Sequence, residues 1–397
     1  MTGAVEIRNG RVVTPTGVIE DGRVVVVDDR IAQVGEATAV PLPRATVVDA
    51  DGRVVVPGFV DIHGDDIERH RSPRAGARVD VRSALATADR ANALVGVTTK
   101  FHAIAFEDDA SDGRSIDEAE TIARAVSNAD DTLADNRVHV RSDLSHDSVD
   151  AVERVVSSGE VDVDLLSVMH HAPGDGQFDE TEFERHYMED RNWPPEKVER
   201  VIEAREELSV STKRDLVARV AELAAGAGVP LASHDDETAA AVDRMFECEA
   251  SISEYPLTME AARRATDRGM TTVMGAPNLV RGGSLWDNLS ARSAVDADVV
   301  DVLCSDYHPP SLLAAPFVET GEPLSARVNR VTRNPAEAVG LHDRGRLEPG
   351  ARADVVVVDP SPIPSVERVL VAGDEVLRAG ADRERVPHGR AVDGPGS

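Results

Sequence analysis

The stretch VVVPGFVDIHGD (residues 54–65) joins a short apolar run to two potential metal ligands, His63 and Asp65. A run of this length and composition predicts a buried β-strand. His63 and Asp65 are two residues apart, so a strand would direct both side chains to one face. The stretch therefore predicts a strand that ends in a cation site.

Seven further β-like runs follow, and helical segments separate them. Such alternation indicates βαβ units and a parallel sheet, and eight units match a (β/α)8 barrel of the TIM type. The predicted fold class is therefore α/β. The eight runs are 54–63, 97–104, 137–144, 163–171, 229–236, 250–255, 271–278 and 299–306.

Val-rich segments with glycine and aspartate at their turns flank this barrel on both sides. They predict short antiparallel strands. We expect residues 1–57 and 345–380 to build one small β-sandwich domain, and residues 58–344 to form the metal-dependent barrel. The tail 381–397 is rich in Gly, Pro, Arg and Asp, and we expect it to be disordered.

The chain carries a formal net charge of −29, and only three of its 43 basic residues are lysine. This excess of acid disfavours nucleic acid and anionic membranes as partners. The scarcity of lysine favours adaptation to high salt over an ordinary acidic enzyme. With two distant cysteines, no signal region and no long apolar run, we expect a cytoplasmic protein, and a homo-oligomer remains open.

Most of the β-like runs end in His, Asp or Asn, and in a barrel these ends converge on one mouth. A single such residue is more often a helix cap or a surface histidine, but the recurrence favours a metal site. Mixed imidazole and carboxylate ligands suit zinc or manganese rather than calcium, as one or two ions. The candidate ligands are His63, Asp65, Asp143, His171, His234 and Asp306, and whether the neighbouring His170 joins them is left open.

Two aspartates have expected chemical roles. Asp143 could bind one cation or bridge two. Asp306, at the last strand end, is the candidate general base, accepting a proton from a water activated by the metal; capping the following helix is its alternative role. Lys100 could be a carboxylated metal bridge, but a structural or substrate-contacting lysine is preferred.

Two segments near the predicted mouth favour an anionic substrate. GAPNLVRGGSLWDN (275–288) could cradle an anion with free amides and Arg281, although glycines also serve tight turns. ERHRSPR (68–74) is cationic in an otherwise acidic chain. Beside a metal cluster, a phosphate site is the preferred interpretation. The candidate substrate-binding residues are Arg69, His70, Asn278, Arg281, Gly282, Gly283 and Ser284.

Several motifs resemble the amidohydrolase superfamily, whose members begin the barrel with PGxxDxHxH and close the β domain with GxxxxGxxADxxxxD. They are VVPGFVDIHGD, NPAEAVGL (334–341) and GRLEPGARADVVVVD (345–359). Six others resemble the alpha-D-ribose 1-methylphosphonate 5-triphosphate diphosphatase family of the carbon-phosphorus lyase pathway. These are HGDDIERHRSPR, HVRSDLSH, SVMHHAPGDGQF, LASHDDET, GAPNLVRGGS and SDYHPPSLL.

This resemblance implies hydrolysis of a small sugar triphosphate to pyrophosphate and alpha-D-ribose 1-methylphosphonate 5-phosphate. It also implies that the glycine segment holds phosphates and that Glu254 could replace one metal ligand. The sequence has Gly64 and Asp66 where the family has HTDH, and Asp143 where Glu is usual. The implied ligands are His63, Asp65, Asp143, His234 and Asp306, with His171 a further member of the site.

Two other functions remain open. An amidohydrolase that opens a cyclic amide or deaminates a small molecule would need the same metals but a less cationic mouth. An inactive metal-binding scaffold is disfavoured, because the expected ligands and base are all present.

Overall fold

A computed structural model describes residues 3–38, 40–74, 76–108, 114–169, 209–285 and 288–379. Within these ranges, no helix has both the length and the apolar character that crossing a bilayer requires. The strands are β1 (Ala4–Thr14), β2 (Gly17–Val27), β3 (Arg30–Glu36), β4 (Thr46–Asp49), β5 (Val54–Pro57), β6 (Phe59–Gly64), β7 (Val97–Phe106), β8 (Asp135–Asp143), β9 (Val163–Met169), β10 (Leu231–His234), β11 (Ile252–Glu254), β12 (Thr271–Gly275), β13 (Val302–Cys304), β14 (Val355–Asp359), β15 (Ser365–Val371) and β16 (Asp374–Arg378).

The strands at the two ends of the chain form one sheet in the order β16-β15-β14-β5-β1-β2-β3, with β4 beside β1. The β5 and β14 strands pair antiparallel, with Val55 opposite Val357, and this pair joins the two ends. Their valines are buried on both faces of the sheet, which is why these strands have no polar alternation. The β structure predicted from both chain ends is confirmed as one mainly antiparallel sheet.

Strands β6 to β13 form a second sheet in which consecutive strands are parallel neighbours. The predicted (β/α)8 barrel is confirmed. One isolated bridge, between Gly64 and Asp306, joins the last strand end to the first. There the Asp306 amide donates to the His63 carbonyl at 2.9 Å, and the Asp65 amide donates to the Asp306 carbonyl at 3.2 Å.

Helices follow most barrel strands, and several have polar N-terminal caps. Ser115, Ser145 and Thr258, for example, each accept a hydrogen bond from the amide three residues later, which stabilises the first turn. The helices are α1 (Asp66–Arg71), α2 (Val81–Ala93), α3 (Ile116–Ser127), α4 (His146–Ser158), α5 (Val210–Ala227), α6 (Ala239–Glu247), α7 (Met259–Arg268), α8 (Ala276–Arg281), α9 (Ala291–Asp296), α10 (Pro309–Ala314), α11 (Leu324–Asn329) and α12 (Arg333–Ala338).

One hydrophobic cluster takes buried side chains from seven of the eight barrel strands, including Ile252 of β11 and Ala232 of β10. Ala232 lies two residues before His234, and Ile252 lies two residues before Glu254. Since alternate residues share a side of a strand, the apolar cluster forms a floor under the polar strand ends. This floor positions the candidate site at the carboxyl end of the barrel.

Candidate active site

Three side chains from different strands meet at the carboxyl end of the barrel. His63, His234 and Glu254 each offer one ligand atom, and these atoms lie within 4.8 Å of one another. His63 Nδ1 is 3.0 Å from Glu254 Oε1, and His234 Nδ1 is 3.3 Å from Glu254 Oε2. Despite its short distance, the first pair lacks hydrogen-bond geometry, and both atoms are buried without a hydrogen-bond partner among the described residues. Two unshared electron pairs that face each other in this way suit a shared cation.

The two histidines are in the form that binds metals. Burial lowers the pKa of His63 well below its usual value, and the positive charge of Arg141 adds to this effect. Burial likewise lowers the pKa of His234 to about 3. Both imidazoles are therefore neutral at physiological pH, as metal ligation requires. The donor set of two imidazoles and one carboxylate fits a divalent cation of the zinc or manganese type.

Asp65 and Asp306 lie beside this group at the seam of the barrel. Asp65 Oδ1 is buried, and no residue in the described ranges forms a hydrogen bond with it. Burial of the Asp306 carboxyl, and then the nearby Asp65 carboxylate, raise the pKa of Asp306 to about 7. Asp306 has a positive φ of 54°, a backbone conformation that aspartate adopts infrequently. Two predicted site residues thus form an interacting carboxylate pair.

Lys100 is a structural cation. Its Nζ lies 2.7 Å from both Asp61 Oδ2 and Asp66 Oδ1, and 3.1 Å from Ser305 Oγ, all in the interior. Burial alone would lower the pKa of Lys100, but the two carboxylates raise it above the usual lysine value. A protonated amine cannot be carboxylated. Lys100 is therefore a structural lysine and not a carboxylated metal bridge.

Other residues of the predicted set lie near this cluster or outside the described residues. Asp143 ends β8 and is half-buried, on the same side of the strand as Arg141. His70 Nε2 is 4.0 Å from Asp66 Oδ2, next to the Lys100 ion pairs. His170 and His171 lie outside the described residues, as does the predicted disordered tail.

The glycine-containing segment differs from the predicted loop. Residues 276–281 form helix α8, and the amides of Gly282 and Gly283 donate to the Asn278 carbonyl at its end. The Asn278 side chain donates to the Leu289 carbonyl and accepts from the Ala291 amide. These groups form hydrogen bonds within the protein. The prediction of a cradle of free amides was therefore wrong. Ser284 is half-buried and has a partner of its own.

Two arginines from the predicted cationic segments meet at one tyrosine. Arg69 donates to the Tyr307 carbonyl at 3.3 Å, and its guanidinium lies 5.6 Å from the centre of the Tyr307 ring. Arg281 donates to the Tyr307 hydroxyl at 2.9 Å. Since Tyr307 directly follows Asp306, the two arginines form a cationic rim beside the candidate base.

Three site residues were missed in the sequence. His139 lies edge-on to His63, with ring centroids 5.0 Å apart, and its Nε2 is 3.0 Å from Ser167 Oγ. The Tyr255 ring is 5.0 Å from both His63 and His234. Arg141 is buried between His139 and Asp143 along β8. Strand alternation within the run 137–144 was the available signal for His139 and Arg141.

The chain is similar in sequence to several known proteins. A model described as "Amidohydrolase family" matches residues 196–377. The alpha-D-ribose 1-methylphosphonate 5-triphosphate diphosphatase of Escherichia coli is 32% identical over 326 residues, which are 80% of this chain and 85% of that protein. An imidazolonepropionase of Paracoccus denitrificans is 26% identical over 86% of this chain and 89% of its own.

Solved structures of low identity share the fold. A prolidase complexed with N-methylphosphonate-L-proline superposes with a TM-score of 0.63 at 18% identity, over 94% of this chain and 100% of its own. A 5-methylcytosine deaminase from Klebsiella pneumoniae superposes with a TM-score of 0.65 at 15% identity, over 95% of this chain and 99% of its own. These neighbours establish the common architecture.

Proposed function

The chain belongs to the amidohydrolase family, and we propose that it hydrolyses alpha-D-ribose 1-methylphosphonate 5-triphosphate to pyrophosphate and alpha-D-ribose 1-methylphosphonate 5-phosphate. The relative that bears the corresponding name covers most of both chains. The substrate carries several negative charges, so the site must offer cations at its entrance. A cytoplasmic location and a small-molecule substrate are part of this proposal.

The observation that carries the proposal is the meeting of Arg69 and Arg281 at Tyr307, directly after Asp306. The chain as a whole is strongly acidic, with a net charge of −29. Two arginines held together at the mouth would attract phosphate against this background, because guanidinium groups donate paired hydrogen bonds to phosphoryl oxygens. A neutral cyclic amide would gain nothing from them.

His63, His234 and Glu254 would hold a divalent cation, with Asp65 and Asp306 at its edge. Such an ion would supply Lewis-acid chemistry and make hydroxide available near neutral pH. The protein itself fixes the imidazole orientations: the Tyr255 ring packs against both histidines, and His139 packs against His63. Asp143 and His171 remain proposed ligands.

Asp306 would take the proton of the attacking water. A pKa of about 7 suits a general base, because about half of the carboxyl groups are deprotonated at neutral pH and the carboxylate is basic enough to accept the proton. The water oxygen bonds to phosphorus, the anhydride P–O bond between the first and second phosphoryl groups breaks, and pyrophosphate leaves with the electron pair. Arg69 and Arg281 would stabilise the charge that develops on the leaving group.

The test is a product assay on a panel of ribosyl and nucleoside triphosphates, including the methylphosphonate sugar. We expect pyrophosphate, separated from orthophosphate by chromatography, and fastest release from the methylphosphonate sugar. Orthophosphate alone, or no turnover of any triphosphate, would reject the proposal.

A second candidate is hydrolysis of a cyclic amide or deamination. It is favoured by one observation: the Gly282 and Gly283 amides are already used, which removes donors that a phosphate site was expected to have. Release of ammonia or ring opening, without turnover of triphosphates, would support this candidate.

A further inference from the structure

Arg141 is a buried cation that the proposed reaction leaves without a role. It projects from β8 on the side that carries His139, two residues earlier, and His139 packs edge-on against the ligand His63. The residue is 7% exposed. Its Nε is buried and has no hydrogen-bond partner in the part of the chain that the structure describes.

Other arginines of equal burial are satisfied by the protein. Arg330 donates its Nε to the Val300 carbonyl at 2.9 Å, and Arg344 donates its Nε to Asp343 at 3.0 Å. Both also pair with carboxylates, Arg330 with Glu322 and Arg344 with Asp135. A buried donor without a partner is costly, so its presence beside a ligand cluster indicates a group that binds there.

Arg141 acts electrostatically on both the candidate metal group and the candidate base. Its charge lowers the pKa of His63 and His234, and opposes the rise in the pKa of Asp306. Arg141 is buried two residues after His139, which packs against His63, whereas Arg69 and Arg281 are exposed.

We propose that Arg141 is the innermost phosphate-binding residue, which donates to a phosphoryl oxygen of a linear polyphosphate whose outer phosphates lie against Arg69 and Arg281. This inference rests on the proposed function, since it concerns the same site. A guanidinium suits the role because it stays charged when buried and presents a planar fork of donors. The competing role is neutralisation of the surrounding carboxylates.

Binding of inorganic pyrophosphate and tripolyphosphate to the full chain, measured by calorimetry, separates these roles. We expect Arg141→Met to weaken binding by about 10- to 100-fold, as the loss of a charge-assisted hydrogen bond implies. Arg141→Lys keeps the charge but not the fork, and should weaken binding less. The control is Arg137→Met on the same strand, whose arginine is ion-paired with Asp135 and Asp164 away from the ligand cluster.

Melting temperatures complete the test. If Arg141 only neutralises carboxylates, Arg141→Met lowers the melting temperature while polyphosphate affinity stays at the wild-type value, and the inference is overturned. If Arg141→Met does not fold, unchanged affinity in Arg141→Lys together with unchanged KM for the triphosphate overturns it equally. A wild-type chain that binds neither polyphosphate also overturns it.

The two proposals fail separately. Arg141-dependent binding of pyrophosphate without hydrolysis of any triphosphate would uphold this inference and reject the proposed reaction. Pyrophosphate release with the same KM in wild type and Arg141→Met would do the reverse.

Discussion

Lys100 Nζ occupies the space that a side chain at Gly64 would need. A Cβ built on Gly64 would overlap both Lys100 Nζ and Ser305 Oγ. The same ammonium group is ion-paired with Asp66. Glycine and aspartate at these two positions, where the resembling family has HTDH, are thus two parts of one arrangement around a buried lysine.

Gly64→Ala should therefore destabilise the protein. We expect a loss of about 1–3 kcal/mol in the free energy of unfolding, because the added methyl group overpacks a buried and charged cluster. Urea denaturation measures it. Gly226→Ala in helix α5 is the matched control: nothing lies near its missing Cβ, so alanine there should stabilise by about 0.5–1 kcal/mol. Equal effects of the two substitutions would contradict the overlap.

Asp306→Asn should abolish pyrophosphate release without unfolding the chain. The amide keeps the size of the side chain, and the seam is made by backbone groups, but the proton acceptor is lost. We expect kcat to fall by about 100- to 10,000-fold. Steady-state kinetics and a thermal melt of the same sample check this. Full activity in the variant would refute the general-base assignment.

Glu254→Gln should weaken metal binding. It removes the charge that faces His63 and His234 while the shape stays the same, so we expect the affinity for Zn²⁺ or Mn²⁺ to fall at least about 10-fold. Metal content after dialysis, measured by mass spectrometry, gives a result that does not depend on turnover. Glu247→Gln, at an exposed position, is the control. Equal metal content in both variants would argue against the ligand group.

The raised pKa of Asp306 has a consequence for stability in the presence of a chelator. Its carboxyl holds a proton in the folded state up to about pH 7 but loses it near pH 4 when unfolded, so this residue lowers the free energy of unfolding as pH rises between these values. We expect a decrease on the order of 2–4 kcal/mol from this source. The measurement is the difference between wild type and Asp306→Asn in urea titrations at pH 5 and pH 8. A difference that does not change with pH would contradict it.

The barrel and the ligands at its strand ends could be predicted because both depend on local patterns. His63 and His234 end apolar runs, and the sequence shows this directly. Arg141 and His139 lie inside a run and not at its end. Only the alternation of side chains along the strand indicates that they face the interior. Their packing against other strands depends on tertiary structure.

The error at the glycine segment had a local cause. Pro277 in the first turn of α8 and Gly282 just after its end are ordinary helix boundary signals. Interpreting the glycines as an open loop assigned their amides to a substrate, whereas a helix end uses them for its own carbonyl groups. The meeting of Arg69 with Arg281 could not be predicted, because Tyr307 brings together segments more than 200 residues apart in the chain.

The barrel is closed by a single bridge, between Gly64 and Asp306, and this weak closure lies at the candidate site. The two backbone hydrogen bonds that complete the cylinder also hold the candidate base beside His63 and Asp65. Transient breaking of these hydrogen bonds would separate the reacting groups while most of the core stayed packed. On heating, activity should therefore be lost some degrees below the temperature at which the helices melt. A small molecule that binds to both β6 and β13 at this bridge would protect the activity.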